Sequence, residues 1–152
     1  MKRSLVGLAA AFGASAAAAV VGGLGSRRAP EVYEELDKPS WAPPAQVFAP
    51  VWSVLYTAMA VAAWRTWRAG DARTPLVLHG AQLVLNASWP AAFFGARSRR
   101  VSLAIIVALD LVVGAELLTA RRRDRLAGAL LAPYLAWSLY ATALNAAVRP
   151  SD

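Results

Sequence analysis

The sequence predicts an all-α membrane protein: a bundle of five transmembrane helices in a single domain spanning residues 1–152. Hydrophobic residues make up 58% of the chain and charged residues only 16%. Four runs of 20 to 23 residues lack Asp, Glu, Lys and Arg, and a fifth run of 20 carries only two acidic residues. About 20 helical residues cross a bilayer core of about 30 Å, and a soluble protein of this length could not bury five such segments. The predicted spans are residues 5–25, 45–67, 75–96, 101–120 and 126–148.

The net charge of +7 does not indicate a nucleic-acid partner, because the basic residues cluster at the ends of the spans. Long basic side chains in those places reach the lipid headgroups of the bilayer. Nine Lys and Arg residues fall on the side of the N-terminus and seven on the other, which favours a cytoplasmic N-terminus. The absence of cysteine excludes disulfides, thiolate metal sites and covalent c-type haem attachment.

The first span has two interpretations. Lys2 and Arg3 precede an alanine-rich apolar run with "ASA" at 14–16, which is also typical of a secretory signal peptide. The apolar run of 21 residues is longer than the about 7–15 of a signal peptide. We therefore predict a retained span.

The loop 26–44 is the longest connection and contains "APEVYEELDKPSWAPP". Pro30 suits the first turn of a short helix, with Val32 and Leu36 on its apolar side. The prolines on both sides of Trp41 require extended chain. Such a loop is either a lid over one end of the bundle or a surface segment with Trp41 anchored at the membrane interface.

The third span has two opposed faces at about 100° per residue. One face is polar and aromatic and carries Gln82, Asn86, Trp89 and Phe93. Because a buried amide needs a hydrogen-bond partner, this face is predicted to point into the bundle. The opposite face is small and carries Gly80, Ala87, Ala91 and Gly95. Small residues four apart allow close helix approach, so this face predicts a homodimer, or else contact with an adjacent helix of the same chain.

Ionisable residues within the spans need partners. Asp110 and Glu116 in the fourth span are about 240° apart and cannot share a face. Asp110 is either functional or a structural residue, protonated or hydrogen-bonded to a neighbouring helix. His79 is either a haem axial ligand or a residue at the membrane interface, and we favour the interface.

The second and fifth spans also carry aromatic faces. The second presents Phe48, Trp52, Tyr56 and Met59, and the fifth presents Tyr134, Trp137, Ala141 and Asn145 with Leu144 beside them. Three aromatic walls with few polar groups predict either a pocket for a flat, mostly apolar ligand or a filled aromatic core. The sequence contains no phosphate-binding loop, paired carboxylates, metal-ligand cluster or nucleophile–base pair.

Three segments carry a resemblance to a known family. They are "PSWAPPAQVFAPVWSVLYTAM" at 39–59, "QLVLNASWPAAFFGAR" at 82–97 and "PYLAWSLYATALN" at 133–145. These segments resemble the TspO/MBR family of tryptophan-rich sensory proteins and translocator proteins. The resemblance implies a homodimeric five-helix receptor for porphyrins, haem and other flat hydrophobic ligands, with the loop after the first span covering the pocket. It implies ligand contacts from Trp41, Trp52, Asn86, Trp89, Phe93, Trp137, Ala141 and Leu144, to which the face of the second span adds Phe48 and Tyr56.

The expected function is therefore that of a porphyrin or haem receptor in a bacterial cell membrane, regulating tetrapyrrole levels and requiring no cofactor. Ala146 and Ala147 stand where mitochondrial members of the family carry tyrosines of a proposed cholesterol motif, so we expect a tetrapyrrole rather than a sterol. One alternative is an enzyme-like, light-dependent degradation of bound porphyrin in which tryptophans are oxidised. The other is transport of porphyrins or lipids, against which the lack of an internal repeat counts.

Overall fold

A computed structural model describes residues 2–150 of the chain, with side chains from 4 to 148. A 3₁₀ turn, Ala45–Val47, leads into the third α-helix, and a π-helical turn, Ala91–Gly95, continues the fourth. Two two-residue strands, β1 (Leu36–Asp37) and β2 (Arg149–Pro150), pair antiparallel. The described residues form six α-helices: α1 (Lys2–Gly25), α2 (Ala29–Glu34), α3 (Phe48–Ala69), α4 (Arg73–Pro90), α5 (Arg99–Arg123) and α6 (Arg125–Ala147).

The five long helices coincide with the five predicted spans, and the short α2 lies in the loop where a helix was expected. Among the described residues, four helices are long and apolar enough to cross a membrane: Ser4–Gly25, Ala45–Ala69, Arg99–Arg123 and Arg125–Ala147. By this criterion the chain is an integral, multi-pass, all-α membrane protein, but the predicted count of five is not reached. The helix left out is α4, whose α-helical part has 18 residues and contains Arg73, His79, Gln82 and Asn86.

The long helices form a closed ring. Helix α1 packs on α3 and α4, α6 packs on α3 and α5, and α4 packs on α5. Because successive long helices alternate in direction, the N-terminus, the α3–α4 connection and the α5–α6 turn share one end of the ring, here called the N-terminal end. The loop between α1 and α3, the α4–α5 connection and the C-terminal strand share the other end. We call the segment 26–44 the lid, as a name only, and this end the lid end.

The main apolar cluster of the interior lies between α3, α5 and α6. Met59, Val113, Leu131 and Tyr134 have no exposed surface and belong to one apolar cluster. A second, smaller cluster lies at the lid end and joins the lid to the bundle through Tyr33, Phe93, Leu144 and Val148. The core is thus divided between a filled middle and a smaller layer beneath the lid.

Small residues bring α1 and α4 close together. A Cβ placed on Gly25 would lie 2.9 Å from the backbone N of Ala91, and one on Gly22 would lie 3.9 Å from Cα of Ala87. Two members of the small face of α4 therefore approach a helix of the same chain, which was one of the two expectations for this face. Gly80 and Gly95 are exposed and have nothing within 4 Å of an added Cβ. The homodimer stays a prediction.

Ion pairs close the N-terminal end. Arg65 Nη2 lies 2.7 Å from Asp124 Oδ2, and Arg123 Nη2 lies 2.6 Å from Asp71 Oδ2. Oδ1 of Asp124 also accepts hydrogen bonds from the N–H groups of Leu126 and Ala127, which caps α6. Burial opposes ionisation of Asp124, but the hydrogen bonds from Ala127, Arg65 and Leu126 outweigh it and hold its pKa below the usual value.

The lid is held by polar contacts of its own. The Tyr33 hydroxyl donates to the carbonyl of Pro43 at 2.7 Å, and burial, followed by the charge of Tyr140, raises the pKa of Tyr33. Lys38 Nζ donates to three carbonyl oxygens at the end of α2 and the start of β1, those of Tyr33, Glu34 and Leu36. The β1–β2 ladder then ties the lid to the C-terminal end of the chain.

Candidate functional site

Aromatic rings connect the lid to two helices at the lid end of the bundle. The ring of Trp41 lies 5.7 Å from that of Tyr140, and the Tyr140 hydroxyl donates to the Trp41 carbonyl at 2.8 Å. Trp137 lies between Tyr140 at 5.6 Å and Phe48 at 6.0 Å. Trp41 is 47% exposed, but its contacts fasten the extended part of the lid to α6. Contacts between aromatic rings thus run from Trp41 of the lid through Tyr140 and Trp137 of α6 to Phe48 of α3.

Helix α4 contributes a second aromatic wall. Trp89 stacks on Phe93 with centroids 4.9 Å apart and planes at 20°. The indole N–H of Trp89 donates to Asn145 Oδ1 on α6 at 2.9 Å, so the ring is held in one orientation. Leu144 packs with Phe93 in the cluster under the lid. The polar and aromatic face of α4 therefore points inward, as predicted.

A chain of hydrogen bonds begins beneath these rings. Trp52 contacts Tyr56 at 5.6 Å and Tyr134 at 6.2 Å. The Tyr56 hydroxyl donates to Asn86 Oδ1 at 2.5 Å, and Asn86 Nδ2 donates to the Tyr134 hydroxyl at 2.8 Å. The Tyr134 hydroxyl donates in turn to Gln82 Oε1 at 2.9 Å. Three helices are joined by side chains whose polar groups are satisfied by one another, which lowers the cost of burying them.

The chain ends in a buried acid–base pair. His79 Nδ1 lies 2.8 Å from Glu116 Oε1 and 3.3 Å from Gln82 Nε2. His79 is 5% exposed and Glu116 is 2% exposed, so the bundle encloses both side chains, and the expected position of His79 at interface depth stays a prediction. The imidazole points into the bundle, where Glu116 of α5 is its partner. The spacing of His79, Gln82 and Asn86, three and then four residues apart, was the signal that could have placed it on the inward face.

Asp110 has a separate partner on the other neighbour of α5. The Thr142 hydroxyl of α6 donates to Asp110 Oδ2 at 2.6 Å. Asp110 is therefore hydrogen-bonded to a neighbouring helix, one of the alternatives stated for it. Because Glu116 contacts α4 and Asp110 contacts α6, the two carboxyl groups lie on different faces, as the helical spacing predicts.

The structure brings the predicted ligand residues together in the half of the bundle nearest the lid. Trp41 is exposed, and Asn86, Phe93 and Leu144 are buried. The indole N–H of Trp137 is buried and has no hydrogen-bond partner among the described residues. Sequence reasoning did not include Tyr33 or Tyr140, whose aromatic character was the available signal. The remaining predicted residues are half-buried: Phe48, Trp52, Tyr56, Trp89, Trp137 and Ala141.

This arrangement suits recognition rather than bond-breaking chemistry. Partly accessible ring faces can stack on a planar guest. No group of three or more His, Cys, Asp or Glu residues that could hold a metal ion occurs among the residues the structure describes.

Comparison with known proteins gives the same relationship along most of the chain. The model of the TspO/MBR family matches residues 8–150. The chain is 40% identical over 118 residues to the translocator protein of Sus scrofa, covering 74% of this chain and 70% of that protein. It is 37% identical over 115 residues to the tryptophan-rich sensory protein of Cereibacter sphaeroides, covering 76% and 73%. The tryptophan-rich protein TspO of Chlorobaculum tepidum is 38% identical over 117 residues, with 74% of each chain covered.

A match over nearly the whole chain and identities well above 30% leave one conclusion. The chain belongs to the TspO/MBR family.

Proposed function

We propose that this protein is a membrane receptor or sensor that binds a porphyrin, such as protoporphyrin IX or haem, between α3, α4 and α6 beneath the lid. Its relatives named translocator protein and tryptophan-rich sensory protein support a role of this class. We place it in a bacterial cell membrane, where binding would regulate tetrapyrrole levels.

One observation carries the proposal: the three tryptophans that converge from α3, α4 and α6, namely Trp52, Trp89 and Trp137, are only half-buried, whereas the residues just deeper are fully buried. Met59 and Leu131 have no exposed surface, while Trp52 and Trp137 keep part of theirs. Each aromatic contact with a planar guest is worth about 0.5–1.5 kcal/mol beyond area burial. Trp137 adds an indole N–H without a protein partner, and propionate groups of the guest would reach the arginines at the lid end.

The test is a titration of protoporphyrin IX into purified protein in neutral detergent, kept in the dark and followed by porphyrin absorbance. Saturable binding at micromolar ligand is expected, and Trp137→Phe and Trp52→Phe should each weaken it by about three- to tenfold. Trp67→Phe is the matched control, because Trp67 lies at the opposite end of α3, beside Gly7 of α1. Absence of saturation, or an equal effect of all three substitutions, would contradict the proposal.

We also propose that α4 and its π-helical turn form the fifth span, which makes the bundle one of five transmembrane helices. Together they cover Arg73 to Gly95, at about 1.5 Å per residue enough to cross a bilayer core of about 30 Å. The buried polar side chains of this helix, His79, Gln82 and Asn86, are accommodated because each is hydrogen-bonded to a side chain on a neighbouring helix.

The exposed part of the small face of α4 supports a homodimer, which we propose as the assembly. Gly80 has no contact within 4 Å of an added Cβ, so Gly80→Leu would disturb a second copy without disturbing α1. We expect chemical crosslinking of the dimer in membranes to fall with Gly80→Leu and to persist with Val54→Leu, a change at an exposed position of α3. Undiminished crosslinking of Gly80→Leu would contradict this interface.

A further inference from the structure

A small cleft lies between the lid and the connection from α4 to α5. Its volume is about 130 Å³, close to the about 150 Å³ of a cavity that admits benzene. It is well below the about 300 Å³ at which pockets for larger organic ligands begin. The cleft therefore has room for a group of a few heavy atoms and is too small for a macrocycle. It is lined by Val32, Glu35, Leu36, Phe93, Arg97, Arg99 and Val148.

The polar part of this lining is more basic than acidic. Arg97 Nη1 pairs with Glu35 Oε2 at 2.9 Å, with both side chains about half exposed. Arg99 Nη2 donates to the carbonyl of Ala146 at 3.0 Å. A guanidinium has five N–H donors, and the contacts described above use one donor of Arg97 and one donor of Arg99. Two guanidinium groups beside a single carboxylate favour the binding of an additional anion through its oxygen atoms.

The backbone at Arg97 gives an independent indication. Arg97 has φ +50°, in the left-handed region, and lies two residues after the end of the π-helical turn. Glycine adopts this conformation without the steric cost that arginine bears. Backbone strain of this kind clusters at ligand clamps and switch regions, and π-helical turns are frequent at functional sites. Both features occur at the wall of the cleft that carries the guanidinium.

We propose that this cleft binds the anionic headgroup, a carboxylate or a phosphate, of a single-chain amphiphile taken from the bilayer. Arg97 would exchange Glu35 for the headgroup. The first methylene groups of the amphiphile would lie on the apolar lining, formed by Val32, Leu36, Phe93 and Val148. The cleft is at the lid end of the ring, where headgroups and water meet the ends of the helices. The cleft shares Phe93 with the aromatic site, but the proposal does not depend on porphyrin being the ligand of that site.

The exchange has a consequence for the lid. Glu35 is the residue after α2, and its ion pair joins the lid to the α4–α5 connection. A bound headgroup breaks this pair, while the β1–β2 ladder, Tyr33 and the contacts of Trp41 with Tyr140 continue to hold the lid. Phe93 lines the cleft and also stacks on Trp89. Occupancy of the cleft therefore loosens the cover of the aromatic site and contacts one of its walls.

The experiment measures binding of dodecanoate, dodecyl phosphate and dodecanol to the full chain in maltoside detergent by native mass spectrometry. We expect one molecule of dodecanoate or of dodecyl phosphate to bind per chain, with saturation. Dodecanol should bind at least about tenfold more weakly, because it cannot accept the charge-assisted hydrogen bonds that an anion accepts. The tighter of the two anions identifies the source as a free fatty acid or a phosphate-bearing lipid. Equal binding of dodecanol would overturn the proposal.

Variants distinguish the contribution of the Arg97 guanidinium from that of the left-handed backbone at this residue. Arg97→Gly should weaken binding by about tenfold or more while the midpoint of thermal unfolding stays the same or rises, because glycine relieves the left-handed conformation. Glu35→Gln should tighten binding severalfold, because it removes the competing carboxylate from Arg97. The control is Arg100→Gln. Arg100 is exposed, follows Arg99 in the first turn of α5 and does not line the cleft, so this variant should bind the anions as the natural chain does. Unchanged binding by Arg97→Gly would overturn the proposal, and Arg97→Gln applies the same criterion should the glycine variant not fold.

Discussion

The hydroxyl of Tyr134 offers the sharpest test of the buried hydrogen-bond chain. Tyr134→Phe removes that oxygen and leaves a ring that fits the same site, which has no exposed surface. The oxygen accepts from Asn86 Nδ2 at 2.8 Å and donates to Gln82 Oε1 at 2.9 Å. The substitution therefore leaves one amide donor and one amide acceptor without these partners in a region closed to water.

The expected cost follows from the number of bonds lost. Hydrogen bonds between membrane helices average about 0.6 kcal/mol and reach about 1.7 kcal/mol, so losing two costs about 1–3 kcal/mol of unfolding free energy. Tyr56→Phe removes one partly buried hydrogen bond, to Asn86, and should cost about half as much. Tyr140→Phe removes one bond, to the carbonyl of Trp41 near the surface, where water replaces it, and should cost least.

The three variants should be compared in one detergent by unfolding with sodium dodecyl sulfate, followed by circular dichroism. The expected order of destabilisation is Tyr134→Phe, then Tyr56→Phe, then Tyr140→Phe, and each change deletes the same single oxygen. Equal stability of Tyr134→Phe and Tyr140→Phe would refute the reasoning, because the buried amides would then have found other partners.

Two further predictions concern the frame around the site. Gly25→Ala should be less stable than Gly23→Ala by about 1–3 kcal/mol in the same unfolding assay. A Cβ at position 25 would lie 2.9 Å from the backbone N of Ala91, whereas a Cβ at position 23 meets nothing within 4 Å. Equal stability of the two variants would mean that α1 and α4 separate at no cost. Asp124→Asn keeps a capping residue but loses the charge paired with Arg65, and should lower stability by up to about 1 kcal/mol at neutral pH. Since the folded pKa of Asp124 is lowered, this charge stabilises fully above the unfolded pKa of about 3.9 and loses its effect as pH falls through the folded pKa. Thermal midpoints of the two chains should therefore differ by a constant amount above about pH 5 and converge below about pH 4, and a difference that persists in acid would contradict the assignment.

The spans and the inward faces could be predicted because both are properties of a single helix. Hydropathy locates a span, and a period of 3.6 residues sorts its side chains into faces. For this reason Gln82, Asn86 and Trp89 were correctly assigned to the interior before any tertiary contact was known. The helices extend beyond the predicted spans, as in α5, which begins at Arg99 and ends at Arg123, because arginine stems continue a helix past the apolar run.

Pairing between helices is not contained in such a pattern. His79 and Glu116 are separated by 37 residues, and nothing local to either one identifies the other. The expectation for His79 rested only on its position at the start of the third span, because its partner was unknown. The same limit applies to the lid, where Leu36 pairs with Pro150 in a ladder too short for any strand pattern. It also applies to Arg97, whose left-handed backbone follows from the way the π-helical turn ends.

Helix α4 shows why apolarity and functional importance diverge in this bundle. It is the long helix that does not qualify as a span by composition, and it supplies His79, Gln82 and Asn86 to the hydrogen-bond chain. Each of these side chains would be costly in lipid, and each is bonded to a side chain on a neighbouring helix: to α5 from His79, and to α3 and α6 from the two amides. On the proposal that α4 crosses the membrane, its polar residues are tolerated only once α3, α5 and α6 surround them. Substitutions that break these bonds should therefore impair assembly of the ring and binding beneath the lid together, because one helix face serves both.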